Sequence, residues 1–361
     1  MNKQNELIYL VDKLVKNNTL ESDEYENLIA NQNEKITEYA AKHAVDIRKK
    51  IYGNDVYIRG LIEVGNVCYN DCFYCGIRRS NRACERYTLN NQQILKCCEE
   101  GYKLGFRTFV LQGGEGSLSV GAVCEVVSKI RKLYPDCAIT LSLGEYSRED
   151  YRRMYESGAN RYLLRHETAD RDHYEKLHPK SMSFDNRLSC LYDLKEIGFQ
   201  VGCGFMVGSP YQTSKTLAKD LKFIEKFRPD MCGIGPFIPQ KNTQFRNFSA
   251  GSVTKTLFLL SLIRLIEPNI LLPATTALGT IQKGGREKGI LSGANVVMPN
   301  LSPVEMRKKY TLYDNKLSDG AESAQSLNLL RKSMKEIGYN IVTDRGDIKN
   351  IKLEMDRKEK L

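Results

Sequence analysis

Residues 57–76, YIRGLIEVGNVCYNDCFYCG, decide the fold of this chain. Their first half is an apolar run with β-branched residues, which predicts a strand over residues 57–67. Cys68, Cys72 and Cys75 follow at once in the spacing C-x₃-C-x₂-C. A chain that loops tightly around an iron–sulfur cluster can place three thiolates at such spacing. A ligand loop directly after a strand is typical of a barrel, whose functional loops follow the carboxyl ends of its strands.

Outward from this stretch, short strand patterns alternate with amphipathic helix patterns. Further strands are predicted over residues 108–112, 138–143, 161–166, 201–207, 231–236, 270–275 and 295–298. Helices are predicted between them over residues 92–104, 120–133, 148–157, 184–197, 214–227 and 254–266. Eight strands, each followed by a helix or a helix-sized segment, predict an α/β fold of the (β/α)₈ TIM-barrel type. A doubly wound open sheet would give a similar alternation and is the alternative at this point.

We divide the 361 residues into three parts. Residues 1–50 form an N-terminal helical segment, because apolar residues recur there at helical spacing. The barrel covers residues 51–310, and residues 311–361 form a C-terminal extension with a helix over 323–337 and a charged tail. No apolar run approaches the roughly 18 residues of a membrane span, and the N-terminus lacks a signal-peptide pattern. We therefore expect a cytoplasmic protein without a membrane partner.

The formal net charge is +10, so a nucleic-acid partner has to be considered. The basic residues are spread along the chain and mixed with acidic ones, and their densest stretches are the C-terminal tail and residues 78–86. This distribution does not favour nucleic acid. A basic interior that faces an anionic small molecule explains part of the charge equally well.

The chain has 11 cysteines, and their odd number in a protein of this size argues against a disulfide framework. Three thiolates in one loop would leave the fourth iron of a cubane cluster open to a substrate. This motif resembles the signature of the radical S-adenosylmethionine (SAM) superfamily, in which the open iron binds the amino and carboxylate groups of SAM. A zinc site is the alternative, but zinc normally takes four ligands, and the only nearby fourth thiol is Cys84. Tyr74 is placed to cover the cluster or its ligand.

Small and polar residues follow the second and third predicted strands. Gly113 and Gly114 allow a close approach between backbone and ligand, although paired glycines alone would indicate only a tight turn. With Glu115 they resemble the superfamily's GGE element, which receives the amino group of SAM. Thr140 and Ser142 share one face of the third strand, which could be the barrel interior.

Charged residues mark the fourth strand and the helix after it. Arg165 and Glu167 share one strand face, and charges inside a barrel are costly unless they are paired or bound to a ligand. The simpler alternative is that both lie beyond the strand end in solvent. Arg187, at the start of a later helix, could bind the SAM carboxylate through its guanidinium. The hydroxyls of Thr275 and Thr276, at the end of the seventh strand, suit a small anion.

Segments spread over about residues 50–310 together resemble the HydE family, the radical SAM maturases that help to build the active-site cofactor of FeFe hydrogenase. They are 59–63 (RGLIE), 68–78, 111–116 (LQGGEG), 162–169 (YLLRHETA), 206–208 (MVG), 233–239 (GIGPFIP), 273–277 (PATTA) and 293–300 (GANVVMPN). Several independent segments of this kind do not coincide by chance.

The resemblance implies a complete (β/α)₈ barrel with one 4Fe-4S cluster on the three cysteines and SAM bound to that cluster. It implies SAM contacts from Tyr74, Gly113, Gly114, Glu115, Ser142, Glu167, Arg187 and Met206. It implies substrate contacts from Thr140, Arg165, Thr275, Thr276, Met298 and Tyr310. The substrate would be an iron complex of cysteine that carries carbon monoxide and cyanide, made by the partner maturase HydG. Transient contacts with HydG and HydF, and a reducing electron donor, are further implied partners.

Two features differ from that family. Some members bind a second cluster through C-terminal cysteines, whereas no cysteine follows Cys232 here. Gly116 stands where the family often has Asp. The nearest enzymatic alternatives are a biotin synthase-type or methylornithine synthase-type enzyme and a HydE-like paralogue with another small substrate. A non-catalytic iron–sulfur carrier is an alternative of another class, although a carrier needs no open iron.

Overall fold

A ring of parallel strands surrounds the centre of the computed structural model, which describes residues 2–317 and 323–349. The strands are β1 Asp55–Ile58, β2 Gly60–Gly65, β3 Thr108–Gly113, β4 Ala138–Ser142, β5 Arg161–Leu163, β6 Gln200–Cys203, β7 Met206–Val207, β8 Met231–Cys232, β9 Gly235–Pro236, β10 Val296–Val297 and β11 Asn340–Val342. The helices are α1 Lys3–Asn17, α2 Ser22–Ala30, α3 Glu34–Tyr52, α4 Asn91–Lys103, α5 Val120–Leu133, α6 Arg148–Glu156, α7 Arg171–Leu177, α8 Phe184–Ile197, α9 Ser214–Phe227, α10 Val253–Ile266, α11 Thr276–Ile281, α12 Gly285–Ile290, α13 Val304–Arg307 and α14 Leu327–Glu336.

The strands close into a barrel. Six of them form a continuous parallel sheet in the order β2-β3-β4-β5-β6-β8, and β1 pairs with β10. The ring is completed by single residue pairs, which are Met231 with Leu271, Pro273 with Val296, and Leu61 with Asn300. Because the last strand returns to the first, the structure confirms the predicted (β/α)₈ barrel and excludes the doubly wound open sheet.

The barrel helices begin and end at residues suited to those positions. The six helices predicted between the strands are present, with ends shifted by one residue at most. The side chain of Ser119 accepts a hydrogen bond from the Ala122 N–H at the start of α5, which satisfies a donor that the helix itself cannot. Gly198 ends α8 with a φ of 111°, a conformation in which a Cβ would be strained.

The N-terminal helices cover the outside of the barrel. Helix α2 packs on α9, and α3 packs on α10. Because α10 lies between α3 and the barrel, it is buried on nearly all sides and apolar along most of its length. None of the described helices is both long and apolar enough to cross a membrane.

The C-terminal extension contains a strand that the sequence did not predict. After α14, strand β11 pairs in parallel with β1, so that Asn340 lies beside Asp55. Arg161, the first residue of β5, binds Asp347 at 2.5 Å, and residues 340–347 therefore cover the amino-terminal end of the barrel. Three residues are too few for strand alternation to be visible in a sequence. Residues 350–361, at the end of the predicted charged tail, lie outside the described residues.

Candidate active site

A cavity of about 370 Å³ lies at the carboxyl ends of the barrel strands. The loop after β2, the ends of the following strands and the segment after the last strand all contribute to its wall. Every residue predicted for the site, apart from Thr140, lines this one cavity. They are Cys68, Cys72, Tyr74, Cys75, Gly113, Gly114, Glu115, Ser142, Arg165, Glu167, Arg187, Met206, Thr275, Thr276, Met298 and Tyr310.

Thr140 is not among the residues that line the large cavity, and its predicted substrate contact stays a prediction. It is buried and lines a separate void of about 10 Å³, together with Arg59 and Arg161. Leu163 and Met231 line both cavities and therefore lie between them. Alternation along a strand gives the face of a residue but not its depth in the barrel. Thr140 faces the interior below the floor of the cavity.

Backbone hydrogen bonds to two neighbouring segments hold the cysteine loop. The Tyr69 N–H donates to the Glu115 carbonyl at 2.8 Å, on the loop after β3. The Gly76 N–H donates to the Leu312 carbonyl at 2.9 Å, on the segment after the barrel. The protein itself therefore sets the course of this loop.

Arg86 binds the same loop through its carbonyl groups. Its guanidinium donates to the carbonyls of Asn66, Ile77, Arg78 and Asn81 at 2.5–3.2 Å. A planar guanidinium carries five N–H donors in fixed directions and can join several carbonyls at once. The sequence showed only that this stretch is basic, and no spacing pattern distinguished Arg86 from its neighbours.

The three cysteines lie in buried surroundings that disfavour free thiolates. Burial raises the pKa of each thiol, and it raises that of Cys75 to about 12. The free protein would therefore keep these thiols neutral, whereas iron would stabilise the thiolates. Gly114 allows the neighbouring loop to lie against them, because an added Cβ would come within 2.3 Å of the Val67 carbonyl oxygen.

This donor set fits a cubane cluster. All three cysteines line the same cavity, so a cluster held by them would present its fourth iron to ligands there. Within residues 2–317 and 323–349, no group of three His, Cys, Asp or Glu side chains is arranged to bind one metal ion. A cubane cluster does not require three ligands on one metal ion, because each thiolate binds a different iron.

A buried histidine orients Tyr74. The Nδ1 atom of His178 lies 2.9 Å from the Tyr174 carbonyl, so Nδ1 carries the proton. Nε2 then accepts the phenol hydrogen of Tyr74 at 3.2 Å. Burial, with the nearby charge of Arg187, lowers the pKa of His178 to about 3, which keeps the ring neutral. Sequence reasoning missed His178, because a single histidine in a helical segment carries no signal.

An ion pair and a further carboxylate lie where the GGE element approaches α8. Arg187 pairs with Glu145 at 2.5 Å, and the Glu115 carboxylate accepts a hydrogen bond from the Glu145 N–H at 2.8 Å. Burial raises the pKa of Glu115, and a cationic ligand would oppose that effect. A ligand with an ammonium and a carboxylate group would match this arrangement.

A second charged group lies on the strand-end segment after β5. Arg165 and Glu167 pair with 3.3 Å between Nη2 and Oε2, so they face each other in the cavity and not bulk solvent. Glu167 has a φ of 64°, which is uncommon for a residue with a Cβ and recurs at functional sites. The Nε of Arg165 and the Oγ1 of Thr275 are buried without a hydrogen-bond partner. Such groups are costly unless a ligand satisfies them, and these two suit an anion.

Sequence reasoning also missed a pair of opposite charges in the cavity wall. Glu63 on β2 is fully buried and binds Lys316, on the segment after the barrel. Lys316 also donates to the Tyr310 carbonyl at 3.3 Å, and its ammonium lies 4.9 Å from the centre of that ring. A carboxylate within an apolar strand is a signal that could have indicated Glu63. No local pattern could have indicated Lys316, which lies 253 residues further along the chain.

Comparison with known proteins agrees with this geometry. Residues 62–224 match the model of the Radical SAM superfamily. The chain is 42% identical over 311 residues to the FeFe hydrogenase maturase subunit HydE of Thermotoga maritima, which covers 86% of this chain and 88% of that protein. It is 26% identical over 318 residues to 3-methylornithine synthase of Methanosarcina acetivorans, which covers 88% of this chain and 89% of that enzyme. The crystal structure of methylornithine synthase (PylB) matches with a TM-score of 0.81 at 24% identity, over 92% of this chain and 97% of that one, and supports the fold.

Proposed function

Because this chain belongs to the HydE family of radical SAM enzymes, we propose that it acts in assembling the active-site cofactor of FeFe hydrogenase. The observation that carries the proposal is the shared cavity, which both the cysteine loop and the unpartnered groups of Arg165 and Thr275 line. One chamber can therefore hold the source of a radical together with an anionic substrate.

The family implies a 4Fe-4S cluster and SAM as cofactors. We assign Cys68, Cys72 and Cys75 as the cluster ligands, with one iron left open for SAM. A cluster held by these cysteines would supply the electron for the reductive cleavage of SAM at its sulfur–carbon bond. Tyr74 and His178 keep one side of this region closed to water.

We assign the SAM contacts to the wall next to the cysteine loop. Glu115 accepts the amino group of SAM, and Arg187 donates to its carboxylate, in exchange for part of its pairing with Glu145. The remaining contacts come from backbone or side chains that line the same cavity, which are Tyr74, Gly113, Gly114, Ser142, Glu167 and Met206.

We assign the substrate contacts to Arg165, Thr275 and Thr276, supported by Met298 and Tyr310. A guanidinium and hydroxyl groups suit the anionic groups of an iron–cysteine complex that carries carbon monoxide and cyanide. Thr140 is left out of this set because it lies below the cavity floor.

The proposed partners follow from the reaction. HydG would supply the substrate and HydF would receive the product through transient contacts, and a low-potential donor would reduce the cluster. The higher identity to the maturase, 42% against 26% for 3-methylornithine synthase, supports this function over an amino-acid rearrangement.

Two experiments test the proposal at different levels. Reconstituted, dithionite-reduced protein should cleave SAM to 5′-deoxyadenosine, and a wild type without this activity would contradict the radical SAM assignment. Deletion of the gene should abolish FeFe-hydrogenase activity while the hydrogenase polypeptide still accumulates. A deletion strain with normal hydrogenase activity would contradict the maturation role and leave the SAM chemistry standing.

A further inference from the structure

The segment that carries Arg165 and Glu167 holds an uncommon backbone conformation. Glu167 has a φ of 64°, which persists in a residue with a Cβ only where neighbouring contacts fix it. Its N–H donates to the Gly204 carbonyl at 3.0 Å, on the segment that follows β6. We name residues 165–169 the RHETA segment, after their sequence. Arg165 and Glu167 both line the cavity, so their directions depend on what holds this segment from behind.

His166 lies between these two residues and points away from the cavity. It is fully buried, and the centre of its ring lies 4.6 Å from that of Phe223 on α9. The Gly204 N–H donates to its Nδ1 at 3.3 Å, so the ring carries its proton on Nε2. Nε2 in turn lies 3.4 Å from Oδ1 of Asp220. The outward side of the RHETA segment therefore meets a carboxylate.

Asp220, on α9, contacts the RHETA segment on both sides of Glu167. The Oδ1 that faces His166 also accepts a hydrogen bond from the Ala169 N–H at 2.5 Å. Asp220 is fully buried, and it is not one of the residues that line the cavity. Among the described residues, its Oδ2 has no hydrogen-bond partner. A buried carboxylate that is only partly hydrogen-bonded does not favour folding, so these contacts point to a role in function.

The end of the segment has a second anchor that does not involve Asp220. The hydroxyl of Thr168 lies 3.1 Å from Nδ1 of His173, and Nε2 of the same ring lies 3.0 Å from the Pro210 carbonyl. Nε2 therefore carries the proton, and Nδ1 accepts the hydrogen of the Thr168 hydroxyl. Because this anchor would remain, loss of Asp220 would free the conformation at Glu167 without releasing the whole segment.

We propose that Asp220 is a positioning residue for the binding of SAM and of the substrate. It acts through His166 and the Ala169 N–H, which together fix the backbone conformation at Glu167. That conformation directs Glu167 and Arg165 into the cavity. The inference rests on the proposed function, in which Glu167 contacts SAM and Arg165 contacts the substrate. Without Asp220, the RHETA segment would populate other conformations, and only the remaining fraction of the protein would bind SAM.

The test measures SAM binding and SAM cleavage by the reconstituted, full-length protein. Asp220→Leu keeps a branched side chain of similar shape but accepts no hydrogen bond. Asp220→Asn keeps an oxygen that can accept from the Ala169 N–H, and it is the conservative variant. Leu221→Ala, at the next and equally buried position of α9, is the control for lost packing. The change in the EPR spectrum of the reduced cluster as SAM is added gives the affinity.

We expect Asp220→Leu to raise KM for SAM about tenfold and to weaken SAM binding equally, with kcat within about twofold of the wild type. Saturating SAM selects the competent conformation, so the rate that is lost at low SAM returns. Asp220→Asn should stay within about threefold of the wild type in KM, because the acceptor remains. Leu221→Ala should leave KM unchanged, even where it lowers the amount of folded protein.

Hydrogen–deuterium exchange of the cluster-free protein gives a readout that does not depend on a cofactor. The peptide that contains the RHETA segment should exchange faster in Asp220→Leu than in the wild type, whereas a peptide from β3 should exchange at the same rate in both. In Leu221→Ala, the RHETA segment should not exchange faster than the other peptides that contact α9.

Two results for Asp220→Leu would overturn the inference. One is unchanged KM with unchanged exchange of the RHETA segment, and the other is lowered kcat at unchanged KM, which a merely structural role would give. If this variant takes up no cluster, Asp220→Ala replaces it, because water can bind the freed groups there, and its KM should rise about three- to tenfold.

Glu167→Ala separates this inference from the proposed function. SAM binding as tight as in the wild type would contradict the SAM contact of Glu167, and the exchange rates would still decide the role of Asp220. Weaker SAM binding in Glu167→Ala, with wild-type binding in Asp220→Leu, would overturn the role of Asp220 and leave the proposed function standing.

Discussion

Lys316 binds the carboxylate of Glu63, so a residue beyond the barrel neutralises a buried charge on its first strands. Removing one partner would leave the other charged in the interior, which is costly. We expect Lys316→Met to lower the free energy of unfolding by about 3 kcal/mol in urea denaturation. The double variant Lys316→Met/Glu63→Gln should regain most of that loss, because no unpaired charge is left. A single variant as stable as the wild type would contradict this role.

The cysteine loop provides a matched test of cluster ligation. We expect Cys75→Ala to lose the cluster and SAM cleavage after reconstitution, because one iron would lack its thiolate. Cys84→Ala should retain both, since Cys84 is partly exposed and is not one of the three predicted cluster ligands. Iron analysis and product assay measure the two properties. Loss of the cluster in the Cys84 variant would show that a fourth thiol takes part, as in the zinc alternative.

Arg86 should determine how firmly the cluster is held. Arg86→Met removes four hydrogen bonds from the guanidinium to the loop carbonyls and keeps an unbranched apolar stem. We expect a faster loss of iron to a chelator than in the wild type, by at least about tenfold, because even one lost charge-assisted hydrogen bond of about 1.5 kcal/mol corresponds to that factor. Arg82→Met, an exposed change in the same stretch, should leave that rate unchanged. Equal rates for the two variants would argue against the role of Arg86.

His178 should make stability depend on pH. Its pKa is about 3 in the folded protein and 6.5 ordinarily, so between these values the unfolded chain binds more protons. Stability is therefore lost as the pH falls from 6.5 towards 3, and is kept above that window. We expect His178→Gln to flatten the slope of unfolding free energy against pH, by up to about 1.4 kcal/mol per pH unit between about pH 6 and pH 4. Urea denaturation of cluster-free protein measures the slope, and an unchanged slope would contradict the buried neutral ring.

The unpartnered hydroxyl of Thr275 should be worth more to the substrate than to the fold. Thr275→Val removes a polar group that has no hydrogen bond in the free protein. We expect unchanged or slightly higher stability, and about tenfold weaker binding of the proposed iron–cysteine substrate, because one hydrogen bond to a charged ligand would be lost. Thr140→Val, below the cavity floor, is the control and should not alter binding. Weaker binding in that variant alone would restore Thr140 to the site.

The barrel and the cluster motif could be predicted because both depend on local patterns. The alternation of strands and helices has short periods, and Cys68, Cys72 and Cys75 lie within eight residues of each other. The closed ring and the family comparison confirm the fold, and all three cysteines line the cavity. The individual roles assigned to the SAM and substrate residues stay predictions.

The features that the sequence did not indicate depend on contacts between distant segments. The depth of Thr140 in the barrel depends on its register with the neighbouring strands. The hydrogen bond between His178 and Tyr74 forms because the end of α7 packs on the cysteine loop. Strand β11 is too short to show a period, and it exists because β1 offers it a partner. Hydrophobic periodicity and motif spacing report only on residues close together in the sequence, whereas these contacts join residues far apart in it.

The segment after Tyr310 has a consequence for how the protein is made. It binds the cysteine loop at Gly76, reaches Glu63 through Lys316, and is tied to a third loop where the Asp314 N–H donates to the Pro239 carbonyl at 3.2 Å. The chamber wall is thus incomplete until nearly the whole chain has left the ribosome. A cluster on the three cysteines would be enclosed by the complete wall only after this late segment has folded against the loop.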